Sequence, residues 1–303
     1  MKVSISFSFA LASLLLVGRS SARVLKQSRK KSSKKTDCAE GEISSYQRQC
    51  QALQEGVREM FRGTVYPENI RILEGGLLPD IFLPDVQGRA QPLGSFSGLN
   101  NTLEYFYALT SGDYLEKKFA GTGPTFINVI SDLRYVACDV KQRLGTFGGS
   151  LNFGIPGVDT LETISASSKL HFTGSARFNP EGRVCSYELN LARLDMFVAS
   201  SQPSTPTQLI LETCLGVQLA CQDENQQYES VDDCISFMNS IDYGNFDNAD
   251  LNSVQCRRLH TILAFSRPEQ HCSHCGKDGG GKCIDRDYAN VTRGNYLIGA
   301  DIC

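Results

Sequence analysis

The stretch His271-Cys272-Ser273-His274-Cys275-Gly276-Lys277-Asp278-Gly279-Gly280-Gly281-Lys282-Cys283 holds the densest set of chemically active side chains in the protein. Several chemistries use these residue types. Gly276-x4-Gly281-Lys282 matches the first part of a phosphate-binding loop, but Cys283 stands where that loop places the Ser or Thr that binds Mg2+. No strand is expected before it and no strong helix after it, so the phosphate reading fails. Haem attachment needs a histidine directly after the second cysteine, and Gly276 is there instead. Cys272-x2-Cys275 also lacks the strand–helix–strand setting of a thioredoxin-like redox pair. The leading reading is a knot of disulfides. The alternative is a zinc-binding or redox module drawn from His260, His271, Cys272, His274, Cys275 and Cys283, with Cys256 beside them. Zinc favours thiolate and imidazole ligands, and three of the four histidines lie in this region. A second C-x2-C or an H-x3-H pair is missing, so no metal is favoured and no cofactor is expected.

Compartment decides between thiol and disulfide, and the start of the chain speaks to compartment. Lys2 precedes an apolar run from Val3 to Val17, followed by the small residues Ser20-Ser21-Ala22. That order reads as a secretory signal peptide over residues 1–22. The run is short of the roughly 20 residues needed to span a bilayer, and no later segment is longer, so no transmembrane span is expected. The expected location is extracellular, with an organelle reached through the secretory route as the minor alternative. Twelve cysteines, an even number, all follow the cleavage point, which favours up to six disulfides. The candidates are Cys38, Cys50, Cys138, Cys185, Cys214, Cys221, Cys234, Cys256, Cys272, Cys275, Cys283 and Cys303. Local proximity suggests Cys38 with Cys50, and facing strands suggest Cys138 with Cys185. Sequons at Asn100 and Asn290 fit a glycoprotein on the same route.

Residues 23–37 form a basic arm, expected to be solvated and able to touch polyanions. The first 36 residues contain nine Lys and Arg and no acid, which leaves 21 basic against 33 acidic residues in the body. That acidic balance offers no footprint for nucleic acid. A Ser/Thr/Pro cluster at 200–208 reads as a linker between a first domain, 38–199, and a cysteine-rich helical domain, 209–303. Four cysteines precede it and eight follow, so each half could close its own bridges.

The elements that must position these residues follow from periodicity. Leu53, Val57 and Met60 predict a helix over Glu42–Phe61, and a second is expected over Leu99–Leu109. Between them LPDIFLPDVQGRAQPLGSFSG is turn-rich. FINVISDLRYVACDVKQRL and KLHFTGSARF alternate as strands. RVCSYELNLARLDMFV completes a hairpin with the latter across Asn179–Gly182. Helices followed by antiparallel strands make an α+β plan. After the linker, TQLILETCLGVQLAC, CISFMNSI and SVQCRRLHTILAF read as helices, the last ended by Pro268, and the Gly-rich tail as irregular.

The order of an N-terminal helix, "LPDVQG", "FSGLNNTLEYFYAL" and long strands ending in "FNPEGRVCSYELNLARLDMF" resembles the NTF2-like, or SnoaL-like, cone-fold family over residues 42–198. The resemblance implies helices packed on a curved antiparallel sheet around an apolar pocket, lined here by Tyr105, Tyr187, Leu189 and Leu191. It also implies a homodimer through the sheet. Members of the family include isomerases, polyketide cyclases, dehydratases and non-catalytic binding modules, so fold alone selects no function.

In the last strand Tyr187, Leu189, Leu191, Arg193, Asp195 and Phe197 share one parity. Asp195 would then project on an apolar face, where desolvation raises a carboxyl pKa and suits acid–base catalysis. The competing reading pairs it with Arg193. His171 falls on the polar parity of its strand, and Asp132 with Arg134 on a solvated face. No Asp, His and Tyr set matches a catalytic arrangement of the family. The sequence therefore leans away from an enzyme and toward a secreted binding protein, its cone holding a small apolar ligand or mediating association. The first alternative is a ketosteroid-isomerase-like enzyme using Asp195; the second is the zinc or redox tail.

Overall fold

A computed structural model describes residues 44–73, 80–110, 127–201 and 205–287, together with Ala289 and Cys303. The first helix, α1 (Ser45–Arg62), starts at Ser44, whose hydroxyl accepts from the Gln47 amide while the Gln47 side chain answers the Ser44 N–H. This reciprocal cap satisfies two of the donors a helix start leaves open. Leu53, Val57, Met60 and Phe61 are its buried face, in agreement with the expected spacing. After α2 (Glu68–Leu73) come β1 (Phe82–Gln91) and β2 (Gly94–Ser97), an antiparallel hairpin where the sequence read only turns. From Val86 onward β1 alternates buried and less buried residues. Pro84 falls inside the register shift between Phe82 and Gln87, where a missing N–H is tolerated. Gly88 is required by contact: a Cβ there would stand 2.3 Å from the Tyr187 ring on the neighbouring strand.

Helix α3 (Leu99–Leu103) passes without a break into a π-helical turn, Glu104–Ala108. The strands β3 (Ile127–Asp139), β4 (Leu144–Gly154), β5 (Lys169–Phe178) and β6 (Val184–Leu191) complete a six-stranded sheet of order β2-β1-β6-β5-β4-β3. All of its pairings are antiparallel except β1 with β6, which is parallel and was not expected. β4 was missed because its glycines hide the alternation. Gly149 answers the crowding between strands, since a Cβ there would meet the Asp132 carbonyl at 2.0 Å. β5 follows expectation, with Leu170, Phe172, Ala176 and Phe178 buried. The fold class is α+β, with helices against a curved sheet.

β6 is shorter than predicted. It ends at Leu191, and Arg193 takes φ 48° at the turn into α4 (Leu194–Ser201). Beyond it lie α5 (Pro206–Ala220), α6 (Val231–Met238), α7 (Val254–Ala264) and α8 (Pro268–Cys275). The last of these corrects the sequence reading of an irregular tail. Pro268 occupies the first turn of α8, where proline's missing N–H costs nothing, rather than merely ending α7.

Among the described residues five disulfides join Cys50 to Cys138, Cys185 to Cys303, Cys214 to Cys234, Cys221 to Cys272 and Cys256 to Cys283. The two suggested pairings are both corrected: Cys50 and Cys138 bind each other, because α1 lies across β3. Nor does each half close on itself, since Cys185 reaches Cys303. Cys275 is a buried free thiol, and Cys38 lies outside the described residues. Two apolar clusters form. The larger one fills the space between α1, α3 and the sheet, and it takes in Phe246, Ala249 and Leu259 from the C-terminal part. The smaller is built around Cys214, Cys221, Cys234, Cys272 and Cys275, with Met238 and Tyr228. No helix among the described residues is long and apolar enough to cross a membrane.

Candidate functional site

The residues expected to line a pocket lie on the inner side of the sheet. Tyr187 is fully buried, and its hydroxyl donates to Thr102 Oγ1 at 3.4 Å. Leu189 is buried beside it, and Leu191 and Tyr105 pack partly buried against the same cluster. Tyr105 stacks on Phe96 with ring centroids 4.0 Å apart. Burial raises the Tyr105 and Tyr187 hydroxyl pKa values, because a phenolate would be stranded away from water. At the centre Phe61 contacts Phe106, Phe147 and Phe172 at 4.8 to 5.4 Å, so much of this interior is occupied by the protein's own rings.

Asp195 is not on that inner face. The turn at Arg193 carries it into the first turn of α4, where Arg193 Nε and Nη2 each approach its carboxylate at 3.1 Å. The guanidinium holds the Asp195 carboxyl below its usual range, opposite to the rise a buried acid would show. His171 is exposed on β5, and Asp132 and Arg134 sit at the surface 3.7 Å apart. Asn100 is exposed on α3, while Asn290 lies outside the described residues.

A second polar arrangement was only partly legible. Because α8 is helical, His271 and His274, three residues apart, project from one face. His260 faces them from α7. His260 Nδ1 is 3.2 Å from His271 Nδ1 and 3.2 Å from His274 Nδ1, and all three side chains are buried. Their ligand atoms lie within 4.8 Å of one another. Burial holds His260 well below the usual imidazole range and brings His274 to about 4, with the crowding of the three rings and the Lys282 ammonium acting in the same direction. Both rings are thus neutral near pH 7.

Glu104 closes this arrangement from the other side of the molecule. As the first residue of the π-helical turn, it is buried, with Oε2 2.9 Å from His271 Nε2. The contact is short, although not aligned as a hydrogen bond. Arg267 Nη1 reaches the same oxygen at 3.3 Å, and Ser266 Oγ donates to Oε1 at 3.2 Å. Gln270 Nε2 donates to Asn101 Oδ1 at 2.6 Å on the same seam. The Gly279–Gly281 turn packs over the end of α8: a Cβ on Gly280, at φ 52°, would stand 2.8 Å from His274 Cδ2.

Of the cysteines in the zinc alternative, Cys272 and Cys283 are in disulfides. Cys275 remains a thiol; burial pushes its pKa up to about 12, and Thr261 Oγ1 donates to its sulfur at 3.5 Å. Cys256, named beside them, is bonded to Cys283, so three of the four sulfurs are withdrawn as ligands, which leaves the three clustered histidines. Sequence reasoning listed the histidines without Glu104, whose separation of more than 150 residues leaves no local signal.

The chain is similar to several known proteins. The chain is 25% identical over 256 residues to "Aurasperone B biosynthesis cluster protein A" of Aspergillus niger, covering 77% of each. It is 26% identical over 252 residues to "Bifonsecin B biosynthesis cluster protein A" of Aspergillus brasiliensis, covering 77% of this chain and 80% of that one. Among solved structures it is similar to a chain described as an isomerase of the SnoaL-like family from Agrobacterium tumefaciens. The match has 14% identity and a TM-score of 0.30, and covers 48% of this chain and 97% of the other. A steroid delta-isomerase from Pseudomonas aeruginosa matches with 15% identity and a TM-score of 0.27, over 50% and 86% of the two chains. Each of these matches covers about half of this chain. Residues 189–286, which hold all three clustered histidines but not Glu104, match the BfoA family C-terminal domain.

Proposed function

We propose that the protein is a secreted, non-catalytic binding protein that serves a biosynthesis cluster of the kind its relatives are named for, and that its cone takes a small apolar molecule. The observation that carries this reading is the aromatic inner side of the sheet, where Tyr105, Tyr187, Leu189 and Leu191 gather around Phe61, Phe106 and Phe172. Apolar, largely aromatic walls with a few polar handles are the usual composition of small-molecule sites. The position of Asp195 supports binding over the acid–base alternative, because a partly buried carboxylate paired with Arg193 is held in its ionised form. The apolar run at the start of the sequence and the five disulfides support the secretory route. Two domains joined near residues 200–208, glycosylation at Asn100 and Asn290, and a homodimer belong to the same proposal.

The absence of tryptophan from the chain makes a clean test available. Leu191→Trp places a single indole at the partly buried end of the last strand. Full-length protein would be collected from the medium of a fungal host and titrated with apolar aromatic compounds extracted from that host. A saturable change in indole emission, with the compound recovered in native mass spectrometry of the unsubstituted protein, is expected. Retention of the protein inside the cell, or no saturable binding by either readout, overturns the reading.

A further inference from the structure

We propose that His260, His271 and His274 bind one divalent transition-metal ion of the zinc class through their Nδ1 atoms, with Glu104 as the carboxylate behind His271. The site is independent of the apolar-ligand reading.

Distance is the first argument. Tetrahedral zinc with nitrogen ligands at 2.0–2.1 Å sets its nitrogens about 3.3 Å apart. The two Nδ1···Nδ1 separations here are both 3.2 Å. Two of the three pairwise separations therefore match those around a shared ion, and the third pair lies within 4.8 Å.

Lone-pair accounting is the second. A neutral imidazole has one N–H and one lone pair, and the partner of one nitrogen fixes the role of the other. Glu104 Oε2 lies 2.9 Å from His271 Nε2, placed to hold the ring proton on that nitrogen when Nδ1 takes a metal ion. His271 Nδ1 then faces His260 Nδ1 at 3.2 Å, with the ligand atoms of all three histidines within 4.8 Å of one another. His260 Nδ1 touches both of its neighbours, and a single N–H there cannot serve two acceptors well. Three converging ring nitrogens in a buried space are a poor proton-sharing arrangement and a good cation-binding one.

The surrounding frame is the third. His271 and His274 lie on α8 and His260 on α7, and the Cys221–Cys272 and Cys256–Cys283 bridges pin both helices beside the site. Glu104 has its remaining acceptor capacity taken by Ser266 and Arg267, which fixes its carboxylate against His271. A carboxylate holding the far side of a ligand histidine is the usual outer support of a metal site. Glu104 opens a π-helical turn, an irregularity that often accompanies functional positions.

The alternative donor group, Cys256, His260 and Cys283, is closed to metal, because its two sulfurs are bonded to each other. No fourth His, Cys, Asp or Glu joins the three histidines among the described residues. Three protein ligands leave one coordination position for water or a small anion.

The test uses the full-length secreted protein with its disulfides intact. After dialysis against a chelator it is titrated with ZnCl2 and, separately, with CoCl2. Bound metal is counted by elemental analysis, and the cobalt form is read by visible absorption. One ion per chain, a tetrahedral cobalt spectrum and a rise in melting temperature on zinc addition are expected. His171→Ala, which alters the exposed fourth histidine, keeps the stoichiometry. His274→Ala abolishes it, and Glu104→Gln weakens zinc affinity about 10–100-fold while leaving one site. Should the His274 variant fail to fold, the unsubstituted protein still decides through ^15N shifts of its histidine rings: zinc must move Nδ1 of three rings and spare His171. Folded protein that takes up no metal, or metal uptake unchanged in His274→Ala, overturns the proposal.

Discussion

The sheet half and the C-terminal half of this protein solve the burial problem by different means. Between α1, α3 and the sheet the interior is a network of rings, with Phe61 stacked on Phe172 at 4.8 Å and edge-on to Phe147 at 5.4 Å. Large aromatic side chains remove much apolar surface from water at small entropic cost. The C-terminal half has short helices and fewer rings, and it buries sulfur and charge instead. Arg257 is fully buried there, giving its protons to the carbonyls of Ser253, Gly276 and Lys277 at 3.1 to 3.2 Å while its guanidinium lies over Phe237. Three of the five disulfides close within this half. Small helical units bury too little surface to stand alone, and covalent bridges supply the deficit. The lesson lies at the seam: Glu104 comes from the half held by rings, and the histidines it meets come from the half held by sulfur.

The contrast can be broken most severely at Phe61. Phe61→Ala empties a space touched by three other rings and is expected to cost about 4–5 kcal/mol, read as a fall in the denaturant midpoint. Because Phe246, Ala249 and Leu259 belong to the same cluster, one cooperative transition is expected. Two resolved transitions would show that the halves are energetically separate. Slightly smaller is the loss of the bridge between α5 and α8. The Cys221→Ser, Cys272→Ser double variant opens a loop with a sequence separation of 51 and is expected to cost about 4 kcal/mol by chain entropy. Hydrogen exchange should rise first in α8, and protection of the β5–β6 pairing should persist. Equal loss in both regions would erase the distinction.

Alkali sharpens the comparison from the other side. Burial raises the hydroxyl pKa of Tyr105, Tyr107 and Tyr187 in the sheet half, and of Tyr228 in the other half. A raised folded-state value means stability is intact below the unfolded pKa of about 10 and falls as pH climbs past it. Melting temperature should therefore be flat up to about pH 10 and then drop, and Tyr187→Phe and Tyr228→Phe should each blunt the drop. The smallest effect belongs to Asp195→Asn. Its ion pair with Arg193 is solvent-screened, and such pairs commonly contribute nothing measurable, so stability at pH 7 should be unchanged. A large loss would restore Asp195 to a working role.

Much of the sheet half is legible from local pattern. Leu53, Val57 and Met60 announce α1, and the parity of Leu170, Phe172, Ala176 and Phe178 announces β5, because one face of each element meets the core. Where glycine interrupts the parity, as in β4, the pattern vanishes although the strand does not. The end of β6 was misjudged for a different reason. Alternation continues through Arg193 and Asp195 in the sequence, whereas the backbone turns at Arg193 with φ 48°. In the tail, Pro268 read as a stop signal is in fact a start, and this one reversal hid the i, i+3 placement of His271 and His274.

By itself the sequence determined the residue inventory, the periodic faces, the cysteine supply and the acidic body behind a basic arm. These are local or additive properties, so no folding is needed to read them. Only the tertiary structure decided which cysteines pair, that Cys275 stays a buried thiol, and that Asp195 meets Arg193 instead of a pocket. It also decided that Glu104 stands behind His271. Such contacts depend on how distant elements pack, and a side chain's partner across 167 positions is fixed by the shared core rather than by anything within reach along the chain.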